Sequence, residues 1–142
     1  MLFQRLNRTD PEKIYAVYKN VEGATITTGY PVSVRNTSTD GISVVIANAT
    51  ADYPGFVGVA KQDIANNDYG LATIWGYVDS VLVSSAGTSI SITLNDALIP
   101  APVGFYSGVP TYLNAGFKWV IAKDVPAAVS AAGYASGVIR ML

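Results

Sequence analysis

Apolar and polar positions alternate in short runs along most of the chain. Ile14 to Tyr18 is apolar with β-branched and aromatic members, and Pro31 to Arg35 places Val32 and Val34 on one face. Val44 to Ala47 is a further short run. Phe56-Val57-Gly58-Val59-Ala60 reads as a buried strand whose internal Gly marks a bulge or a close backbone approach. Leu71 to Trp75 alternates. Tyr77 to Ser84 sets Val78, Leu82 and Ser84 on one face and Tyr77, Asp79, Val81 and Val83 on the other. Ser89 to Leu94, Phe117 to Ala122 and Gly137 to Leu142 complete the set of predicted strands. Turn residues separate them: Glu22-Gly23, Thr39-Asp40-Gly41, Asn66-Asn67-Asp68, Ala86-Gly87, Asn95-Asp96 and Asn114-Ala115-Gly116. Short strands with turns roughly every 8–12 residues predict an all-β barrel or barrel-like sandwich. One short helix is expected over about 125–132, bracketed by Pro126 and Gly133. Residues 1–12 read as an extended arm closed by Asp10-Pro11, ahead of a single β domain over 13–142.

The pattern repeats within the chain. Ile26-Thr27-Thr28-Gly29-Tyr30-Pro31-Val32 aligns with Ile92-Thr93-Leu94-Asn95-Asp96-Ala97-Leu98. Val59-Ala60-Lys61 with Asp63-Ile64 aligns with Ile121-Ala122-Lys123 with Asp124-Val125, and Tyr69 to Ile74 with Tyr134 to Ile139. The offsets are 66, 62 and 65, and the order is kept. This predicts two related halves, about 13–84 and 85–142, with Gly29 and Asn95 supplying the same left-handed backbone position. Halves of this size have little core each, so a shared core in one pseudo-two-fold barrel is the expectation.

Composition narrows the chemistry. Half of the 142 residues are apolar and 13% are charged, too hydrophobic for intrinsic disorder. A formal net charge of −1 gives no long-range field toward nucleic acid or an anionic membrane, and neither is an expected partner. No apolar run approaches the roughly 20 residues of a membrane helix. The first residues have no apolar core of a secretory signal, so synthesis in a cytoplasm is expected. The chain has no Cys and no His. That removes disulfides, thiolate nucleophiles, Ser-His-Asp triads and the usual zinc sites.

What remains for chemistry is sparse. Asp63 and Asp124 hold equivalent repeat positions and could form an acid/base pair, but capping turns accounts for both. Asp63, Asn66, Asn67 and Asp68 place oxygens in one loop without the spacing or the bidentate Glu of an EF-hand. No phosphate-cradling Gly motif occurs. No catalytic residue, cofactor or metal is therefore expected, and the chain is read as non-enzymatic. The candidate contact residues are Leu2, Phe3, Arg5, Leu6 and Arg8 in the arm, and Phe105, Tyr106 and Tyr112 in the Pro/Gly-rich stretch Pro100 to Gly116. That stretch is read as an apolar loop that covers the barrel or docks on a partner.

Lys13-Ile14-Tyr15-Ala16-Val17-Tyr18-Lys19-Asn20, Gly23 to Val32, Phe56 to Ala60 with Asp63-Ile64, Tyr69-Gly70, Asp96 to Pro100 and Val138 to Leu142 together resemble head-module structural proteins of tailed bacteriophages. The resemblance runs over most of the chain from about residue 13, with Asn95 where a Gly is common. It implies a capsid decoration, or cement, protein on the capsid exterior of the virion. Such a protein binds the major capsid protein and itself, often as a homotrimer. Another virion part, a tail-tube or head-fibre subunit, is the alternative. A carbohydrate-binding module using Trp75 and Trp119 is a second one.

Overall fold

A computed structural model describes residues 12–48, 52–83, 94–95, 97–101, 104–107, 120–124 and 133–140. The strands are β1 (Lys13–Asn20), β2 (Pro31–Val34), β3 (Ser43–Ile46), β4 (Phe56–Ala60), β5 (Tyr69–Val83), β6 (Ala97–Ala101), β7 (Gly104–Ser107), β8 (Val120–Asp124) and β9 (Gly133–Arg140). A single 3-10 turn, Tyr53–Gly55, precedes β4. Among the described residues there is no α-helix, and the fold is all-β. The helix expected over about 125–132 and the arm over residues 1–11 lie outside the described residues.

The strand order is β1-β3-β2-β4-β5-β7-β6-β8-β9, with further pairings of β1 with β5 and β5 with β9. Those two pairings close the sheet on itself twice. β1, β3, β2, β4 and β5 form one ring of strands, and β5, β7, β6, β8 and β9 form a second. Each ring is held by long antiparallel ladders on one side and closed by a short parallel contact: Lys19 and Asn20 on Ser43 and Val44, and Val83 on Phe105. The expected all-β architecture thus takes the form of two ring-like halves that share β5.

The register of the two halves matches position by position. Pro31 pairs with Val59 as Ala97 pairs with Ile121. Val59 and Ala60 pair with Thr73 and Ala72 as Ile121 and Ala122 pair with Val138 and Gly137. Tyr18 pairs with Gly70 as Val81 pairs with Ala135, and Asn20 meets Val44 as Val83 meets Phe105. The turns before β2 and β6 match as well. Gly29 (φ 87°) and Asn95 (φ 71°) both take the left-handed conformation. Gly29 donates its N–H to Ala60 and Asn95 to Ala122, each at 2.9 Å.

β5 is read from sequence as two strands and is in fact continuous. Its first part closes the first half against β1 and β4, and its second part opens the second half against β9. Gly76, between the two, has φ 96°, and a Cβ there would collide with the Glu12 carbonyl. Only Gly lets β1 cross at that point, so the break in alternation marks a hand-over between halves and not a turn. Gly58 likewise allows a close approach: a Cβ there would stand 2.5 Å from the Thr73 carbonyl oxygen. The pairing of β2 with β4 shifts at the same place.

The core is divided, contrary to the single core expected. Ile26, Val32, Val44, Ala60, Ile64 and Ala72 form the first, entirely from the first half. The second contains Val78, Val81, Val83, Leu98, Phe105, Val120, Ala122, Ala135 and Ile139, and it also takes in Ala47, Phe56 and Val59 of the first half. The outer face of β4 therefore packs on the second half. Phe56 meets Phe105 edge to face with ring centroids 5.9 Å apart, a favoured aromatic arrangement.

Candidate interaction surface

The sequence-selected residues fall in different places. Leu2, Phe3, Arg5, Leu6, Arg8 and Tyr112 lie outside the described residues. Phe105 is fully buried and belongs to the second core, so it presents no ring to a partner from the folded chain. The backbone of Tyr106 is a rung of the β6–β7 ladder, opposite Ile99. The start of the Pro100–Gly116 stretch is thus a hairpin, not a loop. Among the described residues β8 pairs with Ala97 and Leu98, which places Pro100 beyond that ladder, where a missing N–H is tolerated.

The candidate chemistry resolves into turn-holding. The Asp63 carboxylate accepts hydrogen bonds from the Thr28 N–H (2.7 Å) and hydroxyl (2.9 Å), which hold it ionised below the usual carboxylate range. Asn66 accepts from the Gly23 N–H, and Asp68 from the N–H of Tyr69. Their oxygens serve backbone donors and do not converge on one point. Among the described residues no three His, Cys, Asp or Glu side chains group as metal ligands. Asp40 behaves in the same way: bonds from the Ser43 hydroxyl and N–H, with the N–H of Ile42, push its carboxyl far below the usual range.

One charged cluster sits at the junction of the halves. Asp79 on β5 accepts from Lys13 on β1 at 2.9 Å and from Lys61, just after β4, at 3.5 Å. Lys13 also lies 5.4 Å from the centre of the Tyr77 ring. The Asp79 bond raises the Lys13 pKa and lowers that of Asp79. The adjoining cleft holds about 20 Å³, room for one water and far short of a ligand site. With Asp79 about half exposed, this is a surface tie of small energy and not a reactive centre.

The surface that stands out is apolar. On β1, Ile14 (46%), Tyr15 (41%) and Val17 (58%) are exposed, beside Tyr69 (56%) on β5. Val17 pairs with Leu71, and Lys19 with Tyr69, so Tyr15, Val17 and Tyr69 share one outer face. Leu94, at the turn before β6, is 60% exposed. Sequence reading missed this face because Ile14 to Tyr18 looks like a core strand. Tyr18 does turn inward onto the first core, whereas its alternate neighbours Val17 and Lys19 look outward. Period-two alternation separates the faces but does not say which of two apolar faces is the inner one.

No family model matches the chain. No curated protein matches it either. Among solved structures, it is similar to the head fiber gp8.5 N base of bacteriophage phi29, with a TM-score of 0.54 and 14% sequence identity. The match covers 91% of this chain and 95% of that one, so the likeness includes both halves and establishes a shared fold.

Proposed function

We infer that this chain is a structural component of a bacteriophage virion, attached to the head. The observation that carries this reading is a near full-length fold likeness to a phage head fiber base. It is supported by the absence of His and Cys and by polar side chains that hold turns instead of converging on a substrate. The work of such a protein is adhesion to a lattice. A ligand that binds only the assembled shell stabilises it by mass action, about 2.7 kcal/mol per site at a hundred-fold excess over Kd. Contact with the major capsid protein is assigned to Leu2, Phe3, Arg5, Leu6, Arg8 and Tyr112.

Two forms of this reading differ in what the bound chain does next. As a decoration protein it clamps neighbouring capsid subunits. As a fibre base it seats a further structure on the shell, and the likeness to a fiber base favours that form. Purified chain mixed with emptied heads of the cognate phage is expected to co-sediment with them and to raise their melting temperature. Failure to bind any head overturns the proposal. A further structure projecting from the bound chain in electron micrographs of intact particles selects the fibre base over the clamp.

A further inference from the structure

The two halves touch through a contact that the duplication should repeat. Within the chain, the Thr28–Gly29 turn of the first half lies on the β5–β9 surface of the second. The Leu82 N–H donates to the Gly29 carbonyl at 3.0 Å. A Cβ on Gly29 would stand 3.0 Å from the Leu82 nitrogen, 3.2 Å from the Ser80 oxygen and 3.2 Å from the Tyr134 ring. The registers above carry each partner to its counterpart. The turn corresponds to Leu94–Asn95, and the seat, Ser80, Leu82 and Tyr134, to Val17, Lys19 and Tyr69. Among the described residues, the turn of the second half has no half to sit on, and the seat on the first half has no turn upon it.

At two of the matched positions the uncovered member is the more apolar one, whereas Leu82 maps to Lys19 and Tyr134 to an equally exposed Tyr69. The filled contact uses Thr28 and Ser80, both half-buried. Their counterparts are Leu94, 60% exposed, and Val17, 58% exposed, with Tyr69 beside Val17 at 56%. Solvent alone gives no reason for Leu94 and Val17 to be more hydrophobic than Thr28 and Ser80, the covered members of these two pairs. Burial against another molecule does.

We propose that copies of this chain associate head to tail, the Leu94–Asn95 turn of one seating on the Val17–Tyr69 face of the next. The contact continues between molecules the order of halves found within one. It differs in detail. Asn95 carries a Cβ, so the strand stands farther off than it does at Gly29, and the Lys19 N–H is already held by the Ile42 carbonyl at 2.8 Å. Apolar side chains therefore replace the backbone bond. Lys123 holds the Asn95 side-chain oxygen at 2.8 Å, which draws that amide back toward β8 and away from the join. Because the two surfaces differ, the association is heterologous, and it closes into a ring or extends according to the rotation per copy. This inference stands independently of attachment to a phage head.

The chain has no native Cys, which makes the test direct. Val17→Cys and Leu94→Cys variants are prepared separately, checked for wild-type circular dichroism and melting temperature, then oxidised alone and as a mixture. Head-to-tail seating predicts a disulfide-linked dimer in the mixture and little in either variant alone. A variant that links to itself as efficiently overturns the proposal in favour of a two-fold contact, and a mixture that stays monomeric overturns it outright. In sedimentation, Val17→Asp is expected to weaken association roughly ten-fold or more. Unchanged association would contradict the assigned seat.

Discussion

Where the first half buries Asn20 beside Val44, the second buries Val83 beside Phe105 at the matching positions. Asn20 is fully enclosed and fully satisfied. Its amide donates to the Ala24 and Ile64 carbonyls at 2.7 and 2.8 Å, and its oxygen accepts from the Glu22 N–H at 2.8 Å. Its own backbone is bonded to Asp68 and Asn67. One side chain thus fixes the turn after β1 and the segment that follows β4. In the second half Val83, with no side-chain donor, takes the place of Asn20, and beside it an aromatic ring in the place of Val44 also packs on Phe56 of the first half. The same topology is held by directional bonds in one copy and by buried area in the other. A duplicated fold can exchange one for the other because backbone register, not side-chain chemistry, defines the strand rings.

The largest expected effect tests the aromatic side of this contrast. Phe105→Ala removes a ring from the second core and from the contact between halves, and is expected to cost about 3–5 kcal/mol in urea unfolding. Val44→Ala at the matching position removes less buried surface and should cost about 2 kcal/mol. Equal losses would break the comparison.

Next comes the polar side. Asn20→Val imports the second half's residue into the first. It leaves two carbonyls and one N–H without their side-chain partner, at an expected cost of about 2–4 kcal/mol. Amide exchange should quicken at Ile26 and Ile64, which bond each other at 3.0 and 2.9 Å, more than at Asn95 in the second half. Uniform acceleration would mean that Asn20 does not act locally.

The smallest effect separates the two turns. Gly29→Ala forces a Cβ into a left-handed position pressed against β5 and should cost about 1–3 kcal/mol. Asn95→Gly relaxes the backbone at a position with no second half over it, and should change stability by less than about 1 kcal/mol. Thermal unfolding distinguishes them. A neutral Gly29→Ala would remove the close seat on which the head-to-tail inference rests.

Much of this organisation was legible in the chain. The strands at Ile14, Pro31, Val44 and Phe56 are legible as short apolar or alternating runs bounded by turn residues, and the offset repeats at Gly29/Asn95 and Ala60/Ala122 coincide with matched hydrogen bonds. β6 and β7 were hidden because Pro100 removes a ladder donor and Gly104 takes φ 98°, both of which read as loop signals. The division into two cores was hidden for another reason. Val59 and Phe56 look like any inward residue, yet they face the other half. Contact surfaces were least legible. The apolar setting of Phe105 in the sequence fits a contact residue and a core residue alike, and the ring is in the core. The Val17 face became visible only when matched to its filled counterpart at Ser80.

The central claim is that this fold serves the outside of a phage head. The most direct measurement is cryo-electron microscopy of particles from the cognate phage, compared with particles lacking this chain. The account predicts density on the outer capsid surface that vanishes with the chain and accepts both of its halves. Density lost from the tail instead, or particles unchanged by its removal, would contradict it.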